Sequence, residues 1–190
     1  NKNLVLNSDI VHSFIDYNLS NIEGFSVPSV AYEPSGVYEG WIKKSELSIV
    51  LDIFGGLLTE MENQGVDFAE IINGEQSDDL LGTLLPVIKA YANVDENRTL
   101  LLSSDIFYST LSEQLIALDA LEVPKDALNN LEDSPYFGWI EKLELERLLK
   151  AVKQKKHEVL IGNKEIMAVR LKRLLPARLF WKIMRKQSPT

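Results

Sequence analysis

Tyr136-Phe-Gly-Trp-Ile-Glu-Lys-Leu-Glu-Leu145 has a near copy upstream, Tyr38-Glu-Gly-Trp-Ile-Lys-Lys-Ser-Glu-Leu47. Tyr, Gly, Trp, Ile, Lys, Glu and Leu match, seven positions of ten. Tryptophan is scarce here, three residues of 190, so coincidence explains such a match poorly. The similarity extends outward from the tryptophans. Leu4-Val-Leu-Asn-Ser-Asp-Ile-Val-His-Ser13 aligns with Leu100-Leu-Leu-Ser-Ser-Asp-Ile-Phe-Tyr-Ser109 at an offset of 96. Val27-Pro28 meets Val123-Pro124 at the same offset, and the tryptophans are 98 apart. Leu84-Leu-Pro86 meets Leu174-Leu-Pro176 at an offset of 90, weak on its own in a leucine-rich chain. Three blocks in one order predict a tandem duplication of two helical units, 1–95 and 96–190, and not a solenoid array. Each unit is long enough for a small core, and the two are expected to form one body.

Composition sets the class. Hydrophobic residues make up 45% and charged residues 25%, ordinary for a globular protein. No run approaches the roughly 18 apolar residues of a membrane span, and the N-terminus lacks the apolar core of a signal peptide. There is no cysteine, which excludes thiol nucleophiles, disulfides and Cys-ligated metals and is compatible with a cytoplasmic location. Charge is unevenly spread. Residues 1–95 carry 4 Lys and Arg against 15 Asp and Glu, a net −11; residues 96–190 carry 16 against 13, a net +3. Within 150–190 the balance is 12 against 2, a net +10. The two ends either neutralise each other or address different partners.

The fold class read from the pattern is mainly α, with room for a few short strands. Leu4-Val-Leu reads as a strand or a lead-in, followed by Ser8 as a helix N-cap with Asp9 behind it. Ile10, Phe14 and Tyr17 then fall on one helical face. Proline, glycine and serine make 20–37 a loop. A helix is predicted from Lys43 to Met61, with Leu47, Val50, Leu51, Phe54, Leu57 and Leu58 inward. Gly55-Gly56 inside it costs roughly 1 kcal/mol per glycine relative to alanine, which points to close packing or a break. A short helical turn at 67–72 and a helix capped by Ser77 and interrupted at Pro86 follow. The polar stretch 93–97 reads as the junction of the halves. The second half repeats the plan: a lead-in at 98–103, helices at 105–120, 125–131 and 141–155, a strand at 157–162 and a helix at 164–186.

Few constellations carry chemistry. Gly138, Ile140 and Glu144 stand at the spacing of the back of a calcium loop, and so do Gly40, Ile42 and Glu46. The front positions hold Val37, Pro135 and Phe137, which supply too few oxygens for a hard cation. The block therefore reads as a tight turn entering a helix. Trp41 and Trp139 are predicted as core anchors, and Glu46 and Glu144 as acids at the positive helix end. His12 and His157 stand in no metal-ligand spacing, and no phosphate loop or nucleophile elbow is present. No catalytic residue, metal ligand or cofactor site is assigned. The feature most suggestive of binding is the basic amphipathic segment 164–186. There Arg170, Lys172, Arg173, Arg178, Lys182, Arg185 and Lys186 form a candidate surface for an anionic partner.

These features favour a non-enzymatic binding protein whose partner is another protein. One form masks a basic partner, by analogy of composition with immunity proteins that neutralise toxins. An alternative is a peripheral protein that contacts a membrane surface or nucleic acid through the basic C-terminal segment. Another is an enzyme whose site lies between the repeats.

Overall fold

In a computed structural model of the chain, the described residues are 2–22, 26–67, 80–118 and 122–154. Among them are seven α-helices and no strand. They are α1 (Lys2–Asn7), α2 (Asp9–Ser20), α3 (Lys44–Gln64), α4 (Leu80–Tyr91), α5 (Asp95–Ser103), α6 (Asp105–Ala117) and α7 (Lys142–Lys153). Single 3-10 turns occupy Ser29–Ala31 and Lys125–Ala127.

Local chemistry explains most boundaries. Ser8 and Ser104 sit in extended backbone, and each hydroxyl accepts from the N–H three residues on, Val11 and Phe107. Each such bond satisfies an orphan donor of the first turn. Gly65 ends α3 in the left-handed region, φ 69°, with Val66 N–H returning to Met61 O. That is the Schellman stop, which glycine adopts without steric cost. Pro86 lies within α4, where it removes one backbone donor.

The long α3 organises the rest, contacting α1, α4, α5 and α6. Its Gly55-Gly56 pair causes no break. A Cβ at Gly56 would stand 2.2 Å from Cε2 of the buried Tyr91, so the glycine lets α4 approach. Nothing lies within 4 Å of a Cβ built at Gly55.

Two apolar clusters form the core, and each crosses the midpoint of the chain. One joins Leu6, Leu19, Ala31, Ile42, Leu47 and Val50 to Ile106. The other joins Ile53, Tyr91 and Ala92 to Leu101, Tyr108, Ile140, Leu145 and Leu149.

Several expectations need correction. The apolar lead-ins at 4–6 and 98–103 are helical, in α1 and α5. Their buried members, Leu6 and Leu101, face helices, and a helix satisfies its backbone bonds without a strand partner. The polar run 93–97 is not all connection. Asp95 and Glu96 already form the acidic first turn of α5, where acids suit the helix dipole. Arg98 lies 3.1 Å from Asp95 and, followed by Lys153, holds its carboxyl below the usual range. The helix expected at 125–131 is a single 3-10 turn, because Leu128 bridges to Ile140 instead. The segments expected at 68–72, 157–162 and 164–186 lie outside the described residues, as does the Ser77 cap.

Candidate interaction surface

The two Gly-Trp-Ile stretches build the same turn. Gly40 and Gly138 have φ of 79° and 78°, a region that favours glycine. Gly40 N–H donates to Glu33 O, and Gly138 N–H to Asn129 O. The returning bonds run from Glu33 N–H to Trp41 O and from Asn129 N–H to Trp139 O, both 2.8 Å. An isolated antiparallel bridge closes each turn, Tyr32 with Ile42 and Leu128 with Ile140. The residues sealed from water are Ala31, Ile42, Ala127 and Ile140.

Trp41 and Trp139 are half-buried and not sealed, although Trp139 packs against the edge of the second core cluster. The isoleucine that follows each one points inward, which leaves the indole on the rim against other rings. Trp41 stacks on His12 at 5.6 Å and meets Tyr38 at 5.2 Å. Trp139 meets Tyr108 at 5.5 Å and Tyr136 at 5.2 Å. His12 is buried beneath Trp41, so it presents no surface for chemistry.

Each ring cluster is tied to the helix before it. Tyr38 donates to Asp9 at 3.0 Å, and Tyr136 to Asp105 at 2.7 Å. Lys44 lies over Tyr38, and Lys142 over both Tyr108 and Tyr136. Tyr108 donates to Ile140 O from a buried position. Burial, and then the charge of Glu141, push its phenol up to about 12. Tyr136 is raised too, by burial first and then by its bond to Asp105. Unfolded tyrosines ionise near about pH 10. Stability from Tyr108 is therefore complete below about pH 10 and is lost as pH rises through about 12, because the unfolded chain releases its proton first, and Tyr136 acts in the same direction. In a spectrophotometric titration, phenolate absorbance should lag behind that of the denatured chain and appear together with unfolding. Titration of every tyrosine near the free value would contradict this.

Glu46 and Glu144 both lie in the first turn of their helices and are buried. Glu46 reaches across the chain: its Oε1 accepts from Ser104 Oγ at 2.5 Å and from Ile106 N–H at 3.0 Å. A carboxylate of α3 thus sits at the positive end of α6, where charge-assisted bonds are stronger than neutral ones. Glu144 accepts from Arg147 one turn on.

The candidate basic residues Arg170, Lys172, Arg173, Arg178, Lys182, Arg185 and Lys186 lie outside the described residues. Among the described residues no three His, Asp or Glu side chains converge as a metal cluster, and no helix is long and apolar enough to cross a membrane.

A different surface emerges from α2. Ile10, Phe14 and Tyr17 do share a face, and that face looks outward: they are 83%, 68% and 69% exposed, with Val11 beside them at 38%. The core side of the helix consists of His12, half-buried Ile15, Leu19 and the carboxylate of Asp16, which accepts from Ile42 N–H. Helical spacing reads the same whether a stripe faces core or solvent, so periodicity could not separate the two. Lack of charge does not separate them either, since a core-facing stripe is uncharged as well. The exposed positions 10, 11, 14, 17, 18 and 21 carry no charge, in a chain that is 25% charged. Aromatic enrichment with charge depletion marks the centre of protein interfaces.

Comparison with known protein families, with characterised proteins and with solved structures returns no match to this chain.

Proposed function

We propose that this chain is a non-catalytic protein-binding module that docks through the outer face of α2. The observation that carries the reading is the uncharged stripe of Ile10, Val11, Phe14 and Tyr17. A folded monomer gains nothing from exposed Phe and Tyr side chains, whereas a partner that covers them removes apolar area from water at about 25 cal/mol per Å².

We further infer a tandem duplication, and the support is local. The two turns share their glycine conformation, bridge and ring cluster, and the preceding helices share a serine cap and an Asp–Tyr bond. Under that reading Ile10, Phe14 and Tyr17 correspond to Ile106, Thr110 and Glu113. Ile106 is fully buried against the first half, and Glu113, at the solvent, is charged. The aromatic residues of α2 stand on the copy of this face that the described residues leave uncovered.

Affinity capture from the source cell, with wild type and with a Phe14→Ser/Tyr17→Ser variant, tests the docking surface. Both side chains are exposed, so the variant should keep its stability within about 0.5 kcal/mol per site. A protein retained by the wild type and lost by the variant is the expected result. Identical retention by both would overturn the reading.

A further inference from the structure

We infer that the occupant of the α2 face is a second copy of this chain, the two α2 helices packing antiparallel about a two-fold axis near Phe14. This rests on the docking surface above and names its partner.

Three observations support the assignment. The first is charge. A two-fold interface sets each patch against itself, so a charged patch would face its own sign. The chain is acidic, with a net charge of −8, yet positions 10, 11, 14, 17, 18 and 21 are uncharged. Asp9, the exposed acid within α2, accepts from Tyr38 at 3.0 Å and lies 3.7 Å from Lys44.

The second is register. An axis at Phe14 places Phe14 beside its mate, and Ile10 and Val11 opposite Tyr17 and Asn18 of the other copy. Residues at i, i+4 and i+7 form one continuous stripe, so the two stripes can interdigitate along about two turns.

The third is area. Phe14 and Tyr17, about two-thirds exposed, offer roughly 100–170 Å² each on the scale of aromatic burial. Ile10 and Val11 on α2 and the exposed Ile22 just after it add to the apolar surface. The total is several hundred Å² per copy, against roughly 800 Å² per partner in a standard interface. An interface of that size is that of a weak, reversible contact and not of a permanent one.

The absence of cysteine makes the geometry directly testable. A Phe14→Cys variant places two thiols at the axis, within the roughly 7 Å Cα separation that a disulfide requires. A Val37→Cys control, at a residue 93% exposed on the turn of the first half, has no mate there. Wild type, both cysteine variants and Phe14→Asp are examined by sedimentation velocity from about 1 to 200 μM, a range that spans the affinity of a small interface. The cysteine variants are also air-oxidised, and circular dichroism checks that every variant keeps its helices.

The expected result is a concentration-dependent dimer for wild type and a monomer for Phe14→Asp. Phe14→Cys should form a linked dimer at least tenfold faster than Val37→Cys. A monomeric wild type throughout, or equal linking rates, overturns the second copy as occupant. The docking reading is judged separately by capture. If wild type is monomeric but retains another protein through Phe14 and Tyr17, only the self-association is wrong. If it also retains nothing that the double serine variant loses, both are wrong.

Discussion

Replacing Glu46 with alanine should destabilise the protein by about 3 kcal/mol, since a hydrogen bond to a charged group is worth about 1.5–3 kcal/mol and buried donors left unpaired add to the loss. Its carboxylate holds Ser104 Oγ and Ile106 N–H, and both donors are buried. Glu46→Gln keeps an oxygen of similar reach but removes the charge from the end of α6. It should cost about 1 kcal/mol, the size of a charge–dipole interaction in a partly buried setting. Urea denaturation of the two variants checks the order. A second measurement is independent of stability. The charge of Glu46 contributes to the raised ionisation of Tyr136, so Glu46→Gln should bring that phenol down in pH. Equal stability of Glu46→Ala and wild type would show that α6 is capped by other means.

Adjacent glycines should give opposite results. Gly55→Ala meets open space inside α3 and should stabilise by about 1 kcal/mol, the helix propensity difference. Gly56→Ala gains the same propensity but drives a methyl into the Tyr91 ring, which would have to move from 2.2 Å. Tyr91 is 3% exposed and cannot swing into water. Overpacking of this kind costs about 1–3 kcal/mol. The pair should differ by about 2 kcal/mol in thermal or urea unfolding. A Gly56→Ala/Tyr91→Phe double variant should stay destabilised, because the clash is with ring carbons. Equal effects at the two glycines would mean that α4 does not approach α3 as described.

The helices were legible where chemistry is local. Ser8 announced an N-terminus, and the apolar row of α3 announced an inner face holding Leu47 and Val50, although the fully buried Ile53 was not in that row. The Gly55-Gly56 pair announced a choice between break and close contact, but only the position of Tyr91, 35 residues on, settles it. Glu46 shows how far a side chain's partners can lie from its neighbours in sequence. From its neighbours it reads as an acid in the first turn of its own helix, and it is one, yet its hydrogen bonds go to residues 58 and 60 positions away. The polar run at 93–97 misled because a charged helix start and a linker have the same composition. The α2 stripe was legible as one face but not as an outward one, because an amphipathic period is indifferent to what covers it.

The span between Glu46 and its partners matters while the chain is being made. Ser104 enters the growing polypeptide 58 residues after Glu46, a delay of roughly 3–12 s at 5–20 residues per second. During that interval α3 can exist, but Ile53 and the Glu46 carboxylate lack their partners from the second half. The nascent first half is thus a stickier object than the finished protein. Slow translation across residues 65–104 should prolong its exposure to chaperones and to aggregation.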